Sequence, residues 1–201
     1  AAPALAADNE LTADEKSDGW ILLFDGKSFD GWMRSDQKAS ARPIEEGCIN
    51  PHKCGAYMMM HNKVWTDFTL SLDFKISKGC NSGVFFHVDF KPGTADVSQG
   101  LQFEIDRTLN HHTGGVYGDG RAWIAWPAPD LETVIRPYDW NDYLLKVENN
   151  HYVAILNGVV VLDFTDPTPK SFDGYIALQL HSGGQGNMRF KDLYIRDLSH
   201  R

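Results

Sequence analysis

The stretch Asp142-Tyr-Leu-Leu-Lys-Val-Glu-Asn-Asn-His-Tyr-Val-Ala-Ile-Leu-Asn-Gly-Val-Val-Val-Leu-Asp-Phe164 decides the fold. It holds three short apolar runs separated by two polar turns. Asn157-Gly158 supplies the positive φ angles that a two-residue type I′ hairpin demands. Glu148-Asn149-Asn150-His151 makes the other reversal. The segment 142–164 therefore predicts a three-stranded antiparallel meander.

The text on either side follows the same grammar. Runs rich in Val, Ile, Phe and Tyr, punctuated by Gly, Asn, Asp and Pro, mark strands over 20–24, 44–49, 56–60, 68–77, 83–89, 100–106, 114–117, 173–181 and 188–197. Outside a short helical turn around Leu11–Ser17, no amphipathic helix competes with them. Such a set predicts an all-β fold, a two-sheet antiparallel β-sandwich or jelly roll. Residues 1–19 read as a flexible Ala-rich leader and 20–201 as one sandwich domain, a size that builds a core without a disulfide framework.

Charge narrows the partners. Lys plus Arg number 19 against 27 Asp plus Glu, a formal charge of −8, with no basic stripe. Nucleic acid and anionic membrane surfaces are poor partners for such a chain. No apolar run approaches the roughly 20 residues of a spanning helix. Ala4-Leu5-Ala6 matches the tail of a processed secretory signal, so the expected location is extracytoplasmic: periplasmic, secreted or surface-anchored. A low-complexity leader of a cytosolic chain is the alternative. Cys48 and Cys54 flank a turn-rich stretch and are placed to pair in an oxidising compartment. A metal set of Cys48, His52, Cys54 and His61 lacks any standard zinc spacing.

Side chains alternate faces along a strand, so parity separates core from surface. In 100–106, Leu101, Phe103 and Ile105 point inward, and Gln102, Glu104 and Asp106 point outward. In 81–88, Val84, Phe86 and Val88 form the core set, leaving Asn81, Gly83, Phe85 and His87 opposite. In 176–181, Ile176, Leu178 and Leu180 oppose Ala177, Gln179 and His181. If these strands are neighbours, amides, imidazoles and carboxylates share one groove suited to sugar hydroxyls. An ordinary solvated sheet face would show the same alternation. The aromatic segment from Tyr117 to Pro129, with Trp123 and Trp126, adds ring faces that stack on sugars, as loops over a rigid sheet often do.

Glu104 and Asp106 lie two apart on the same face. Laminarinase-type sandwich glycosidases place Glu-x-Asp-x-x-Glu on such a strand, the two glutamates being the pair a retaining mechanism requires. Here the frame ends in Leu109. A conventional retaining glycosidase is therefore disfavoured unless a loop carboxylate such as Asp119 or Asp130 arrives. His111-His112 form a loop pair near the groove, of a kind that is more often simply exposed. Asp139-Trp140-Asn141-Asp142 reads as a structural strand entry.

Ordered landmarks across 20–198 carry a resemblance. They include Leu23-Phe-Asp-Gly-Lys-Ser-Phe-Asp-Gly-Trp32, Asn81-Ser-Gly-Val-Phe-Phe86, Gly100-Leu-Gln-Phe-Glu-Ile105, Thr113-Gly-Gly-Val-Tyr117 and Gly174-Tyr-Ile-Ala-Leu-Gln-Leu-His181. Together they resemble the 3-keto-disaccharide hydrolase family, of the concanavalin A-like lectin/glucanase superfamily. The chain departs from it in two places. Many members carry Glu then Gln where this chain has Gln102 then Glu104, and His87 stands where Arg is common. The resemblance implies cleavage of glycosides already oxidised at sugar C3. A 3-keto group acidifies the C2 proton, so one base and a stabiliser for the enolate suffice. Expected roles are Glu104 or His87 as base, and His181 with Gln179 holding the ketone or a hydroxyl. Gln102, Asn81, Tyr117 and Trp126 are expected to contact the ring, beside Asp106. No cofactor is required, although a divalent metal on Glu104, Asp106 or a nearby histidine is compatible. The alternative function is a non-catalytic, lectin-like carbohydrate-binding domain.

Overall fold

A computed structural model describes residues 7–40, 44–51, 58–77, 80–94, 96–106, 111–179, 181 and 187–199. The strands are β1 (Trp20–Leu22), β2 (Trp32–Arg34), β3 (Met59–His61), β4 (Phe68–Ile76), β5 (Asn81–Phe90), β6 (Val97–Ser98), β7 (Leu101–Asp106), β8 (Val116–Gly118), β9 (Trp123–Ala125), β10 (Asn141–Glu148), β11 (His151–Leu156), β12 (Val159–Thr165), β13 (Tyr175–Leu178) and β14 (Met188–Asp197). One helix, α1 (Ala13–Ser17), precedes them. The predicted meander is β10-β11-β12, with Glu148 opposite His151 and Leu156 opposite Val159. Asn157 and Gly158 take φ of 50° and 79°, as their turn requires.

Two antiparallel sheets result. The six-stranded sheet runs β1-β14-β4-β10-β11-β12, and the eight-stranded sheet runs β2-β3-β13-β5-β7-β8-β9 with β6 on β5. Between them lie Leu70, Leu72 and Phe74 of β4, Tyr143, Leu145 and Val147 of β10, Phe103 and Ile105 of β7, and Ile176 of β13. Each such side chain contributes ~1.5–3 kcal/mol by leaving water. The Tyr143 hydroxyl donates to the backbone carbonyl of Glu104 across the interior at 3.3 Å. A second cluster, Met60, Val88, Val97 and Ala177 with Phe85 and Tyr175 against it, covers part of the outer face of the eight-stranded sheet.

Strands β13, β5 and β7 are neighbours, as the shared groove requires. Simple alternation fails within β5. Phe85 pairs with Ala177 and Val88 with Tyr175, so Phe86 and His87 together face one residue of β13. This β-bulge reverses the parity beyond it. Val88, expected inside, joins the outer cluster, and His87, expected in the groove, turns into the interior. There His87 is 1% exposed, with φ of 55° and Nε2 against the Thr66 carbonyl at 2.8 Å. Its ring meets Phe68 and Phe86 edge-on. Gly100 and Gly174 admit the kink, since a Cβ on either would stand 2.5 Å from the His87 backbone.

Other departures are smaller. The short strands β2, β6 and β9 lack a legible apolar run, and the 44–49 segment makes only isolated bridges. The leader, expected flexible, is docked from Asn9 onward: Asn9 is 6% exposed and bonded to Asp192 and Gly47. Thr12 and Glu15 close a capping box at the start of α1. His52, Cys54 and Leu180 lie outside the described residues. Of the other groups in the candidate metal set, the Cys48 thiol donates to the Glu46 carbonyl, and His61 packs between Trp32 and Trp65. Burial holds the His61 imidazole neutral, its pKa lowered to about 4.

Candidate active site

Register builds the site. Asn81 lies opposite Asp106, Gly83 opposite Glu104, and Phe85 opposite Gln102, so these residues share the outer face. Tyr117 joins it from β8, paired with Gln102. Gly83 is required by close approach. A Cβ there would fall 2.5 Å from Nε2 of Gln102, whose side chain crosses the gap. Through that gap Gln102 Nε2 donates to Glu104 Oε2 at 2.7 Å. From the other side Asn81 Nδ2 donates to Glu104 Oε1 at 2.5 Å and to Asp106 Oδ2 at 3.1 Å. Both carboxylate oxygens of Glu104 are thus held by amides.

Glu104 is 6% exposed. Loss of water around it pushes its pKa up to about 8; Asp106 adds to the rise, and the amide hydrogen bonds oppose it. A carboxyl poised near neutral pH is matched to proton transfer.

Above Glu104 opens a cleft of about 410 Å³, lined by Asn81, Gln102 and Glu104 on the floor, Gln179 and His181 on one wall, and His111, His112, Tyr117 and Trp123 on the other. That volume suits a small ligand. Oε1 of Gln179 is buried without a hydrogen-bond partner among the described residues, so the wall holds an unspent acceptor. Asp106 does not line the cleft; it braces Asn81 and meets His111 Nδ1 at 3.1 Å. Trp126 is 52% exposed at the rim, where it stacks on His112 at 5.4 Å. His87 is absent from the cleft because of the bulge.

The segment Tyr117–Pro129 begins as the hairpin β8–β9 rather than a loop. Arg121 at its tip donates to both oxygens of Asp166 at 2.9 and 2.7 Å, and to Asp119 at 3.2 Å. The hairpin carrying Tyr117 and Trp123 is thereby anchored beyond β12. Asp119 is committed to that anchor, and neither it nor Asp130 lines the cleft.

Sequence pattern undervalued His112. Its Nδ1 meets Glu132 Oε1 at 2.5 Å, and its ring sits edge-on to Trp123. The partner lies 20 residues away on a short 3₁₀ turn, and only the neighbouring Trp-rich segment hinted at a wall there. For a metal, Asp106 and His111 offer two nearby donors, but no group of three or more His, Cys, Asp or Glu converges among the described residues.

Fold and cleft together define a lectin-type β-sandwich with a buried, amide-held carboxyl on its open sheet face. The chain belongs to the family of 3-keto-alpha-glucoside-1,2-lyase-like domains, which it matches over residues 19–196. A 3-keto-disaccharide hydrolase of Bacteroides thetaiotaomicron is 35% identical over 82 residues, which cover 35% of this chain and 28% of that protein. The aligned part thus spans just over a quarter of that relative. Among solved structures, a candidate glycosyl hydrolase from Parabacteroides distasonis superposes with a TM-score of 0.76 at 21% identity, covering 96% of this chain and 100% of that one. A carbohydrate-binding module from Bacillus subtilis shares the fold at a TM-score of 0.52 and 13% identity, covering 83% and 96%.

Proposed function

We propose that the protein cleaves glycosides oxidised at sugar C3, with Glu104 as the general base. Glu104 carries the proposal: it is buried, its proton affinity is raised towards neutrality, and two amides fix it in a cleft that no second carboxylate lines among the described residues. A glycosidase of the usual retaining kind needs two carboxyls flanking the bond. Elimination needs one base. Glu104 takes the C2 proton, the C2–H electron pair forms the C1–C2 enone through the C3 enolate, and the C1–O bond breaks with loss of the aglycone. Water added across C1–C2, with Glu104 protonating C2 after its carboxyl hydrogen has exchanged with solvent, gives net hydrolysis.

The surrounding groups fit ligand roles. Gln179 offers its unpartnered Oε1 to a sugar hydroxyl, and its amide nitrogen with His181 faces the C3 oxygen. Tyr117, 41% exposed and edge-on to Trp123, supplies a ring face. Asn81 and Gln102 hold the base and border the ring. The family match and the relative named a 3-keto-disaccharide hydrolase support the substrate class.

The test is incubation with a 3-keto glucoside in deuterated water, beside the unoxidised glucoside, followed by NMR. Aglycone release from the 3-keto compound alone, with deuterium at C2 of the hydrated sugar, is expected. Binding of both sugars without turnover of either would instead mark a lectin-like module, for which a buried titratable carboxyl has no use.

A further inference from the structure

We propose that His112, oriented by Glu132, is the acid that protonates the departing oxygen during this cleavage. The inference rests on the reading of Glu104 as base and adds the group that reading lacks. Removing a proton at C2 leaves the aglycone to depart as an alkoxide, and a sugar or alkyl alkoxide is a poor leaving group without a proton.

The geometry assigns the role. Glu132 is 7% exposed and receives His112 twice, from Nδ1 at 2.5 Å and from the backbone N–H at 3.3 Å. A carboxylate only accepts, so Nδ1 carries the hydrogen and Nε2 is the exchanging nitrogen. The ring lines the cleft on the wall opposite Gln179, and Nε2 has no hydrogen-bond partner among the described residues. Trp123 edge-on at 4.7 Å and Trp126 stacked at 5.4 Å fix its plane. His112 holds this pose at φ of 66°, a backbone region that costs a non-glycine residue about 1 kcal/mol or more. A merely exposed loop histidine needs neither the buried carboxylate nor the strain.

The protons balance. Glu104 receives the C2 proton, the imidazolium of His112 gives its Nε2 proton to the glycosidic oxygen as C1–O breaks, and the neutral alcohol leaves. On hydration, Nε2 takes a proton from the attacking water as its oxygen bonds C1, and Glu104, its carboxyl hydrogen exchanged with solvent, protonates C2. Glu132 touches no reacting atom and is a positioning residue.

The experiment is a series of 3-keto glucosides whose aglycones run from 4-nitrophenol to methanol. Wild-type kcat/KM is expected to vary little along it. His112→Asn, chosen because Asn tolerates positive φ, is expected to lose roughly 10²–10³-fold on the methyl glycoside and less than about tenfold on the nitrophenyl one. Glu132→Gln is expected to steepen the same dependence less, and Glu132→Asp to restore most of it. Equal losses across the series, or none, in both His112→Asn and Glu132→Gln would overturn the assignment while leaving Glu104 as base. Wild-type protein inert towards every 3-keto glucoside would overturn the underlying reading instead.

Discussion

At the scale of single residues, Glu104 concentrates the consequences. Its folded pKa of about 8 stands well above the ordinary carboxyl value of 4.5, with burial the main cause. As the proposed base it must be ionised, so kcat/KM is expected to fall about tenfold per pH unit as the pH drops below about 8. Glu104→Gln should cost roughly 10²–10⁴ in kcat. Stability has the opposite sign. Between pH 4.5 and 8 the folded chain keeps a proton that the unfolded chain releases, so this group's contribution falls as pH rises through that window. The fall is at most ~1.4 kcal/mol for each pH unit crossed, and Glu104→Gln removes it. The variant, with Gln102 reversed to present its oxygen, is expected to gain melting temperature over wild type progressively from about pH 5 to about pH 8. A constant difference across that range would show that Glu104 titrates normally. Both the type and the face of Glu104 were legible in the alternation of β7. Its proton affinity was not, because that depends on Asn81, Gly83 and the depth of the cleft, which only the pairing of β5 with β7 reveals.

At the scale of elements, turn chemistry and period-two patterning were enough for the meander and the central strands. They failed where a strand breaks its period. Nothing in Val84–Val88 announces the bulge; its trace lies in Gly100 and Gly174, far apart in sequence and both pressed on His87. The bulge assigns His87 to packing. His87→Ala is expected to destabilise by roughly 2 kcal/mol or more in urea unfolding, while the acid limb of the pH–rate profile stays near about 8. Movement of that limb would return His87 to the proton-transfer role. The wall formed by β8–β9 was hidden for a related reason, since its strands are too short to show a period and its anchor is tertiary. Arg121 forks onto Asp166, which is fully buried. Arg121→Met strands that carboxylate and should cost about 3 kcal/mol in stability. By loosening Tyr117 and Trp123 it should also raise KM several-fold, with kcat within about twofold. Loss confined to kcat would separate the hairpin from substrate binding.

At the scale of the whole molecule, the two sheets divide the work. The eight-stranded sheet presents the cleft, and the six-stranded sheet backs it through the shared core, with Tyr143 reaching the Glu104 carbonyl. The N-terminal segment belongs to the backing sheet. Asn9 bridges Asp192 and Gly47, Lys191 pairs with Asp8 at 2.7 Å, and the Tyr194 hydroxyl donates to the Glu10 carbonyl. Asn9→Ala, or removal of residues 1–10, takes hydrogen bonds from the half-buried Asp192 and Tyr194 of β14 and from Gly47, each worth ~0.5–1.5 kcal/mol. For a chain of this size, a loss of about 2 kcal/mol lowers the melting temperature by ~4–8 °C. Because the N-terminal segment touches β14 and the cleft is lined from β5, β7, β8, β9, the His111–His112 loop and the residues that follow β13, kcat/KM measured well below the transition should be unchanged. A tenfold fall in kcat/KM at that temperature would mean that the backing sheet sets the geometry of Glu104 through the core, with Tyr143 as the first contact to examine.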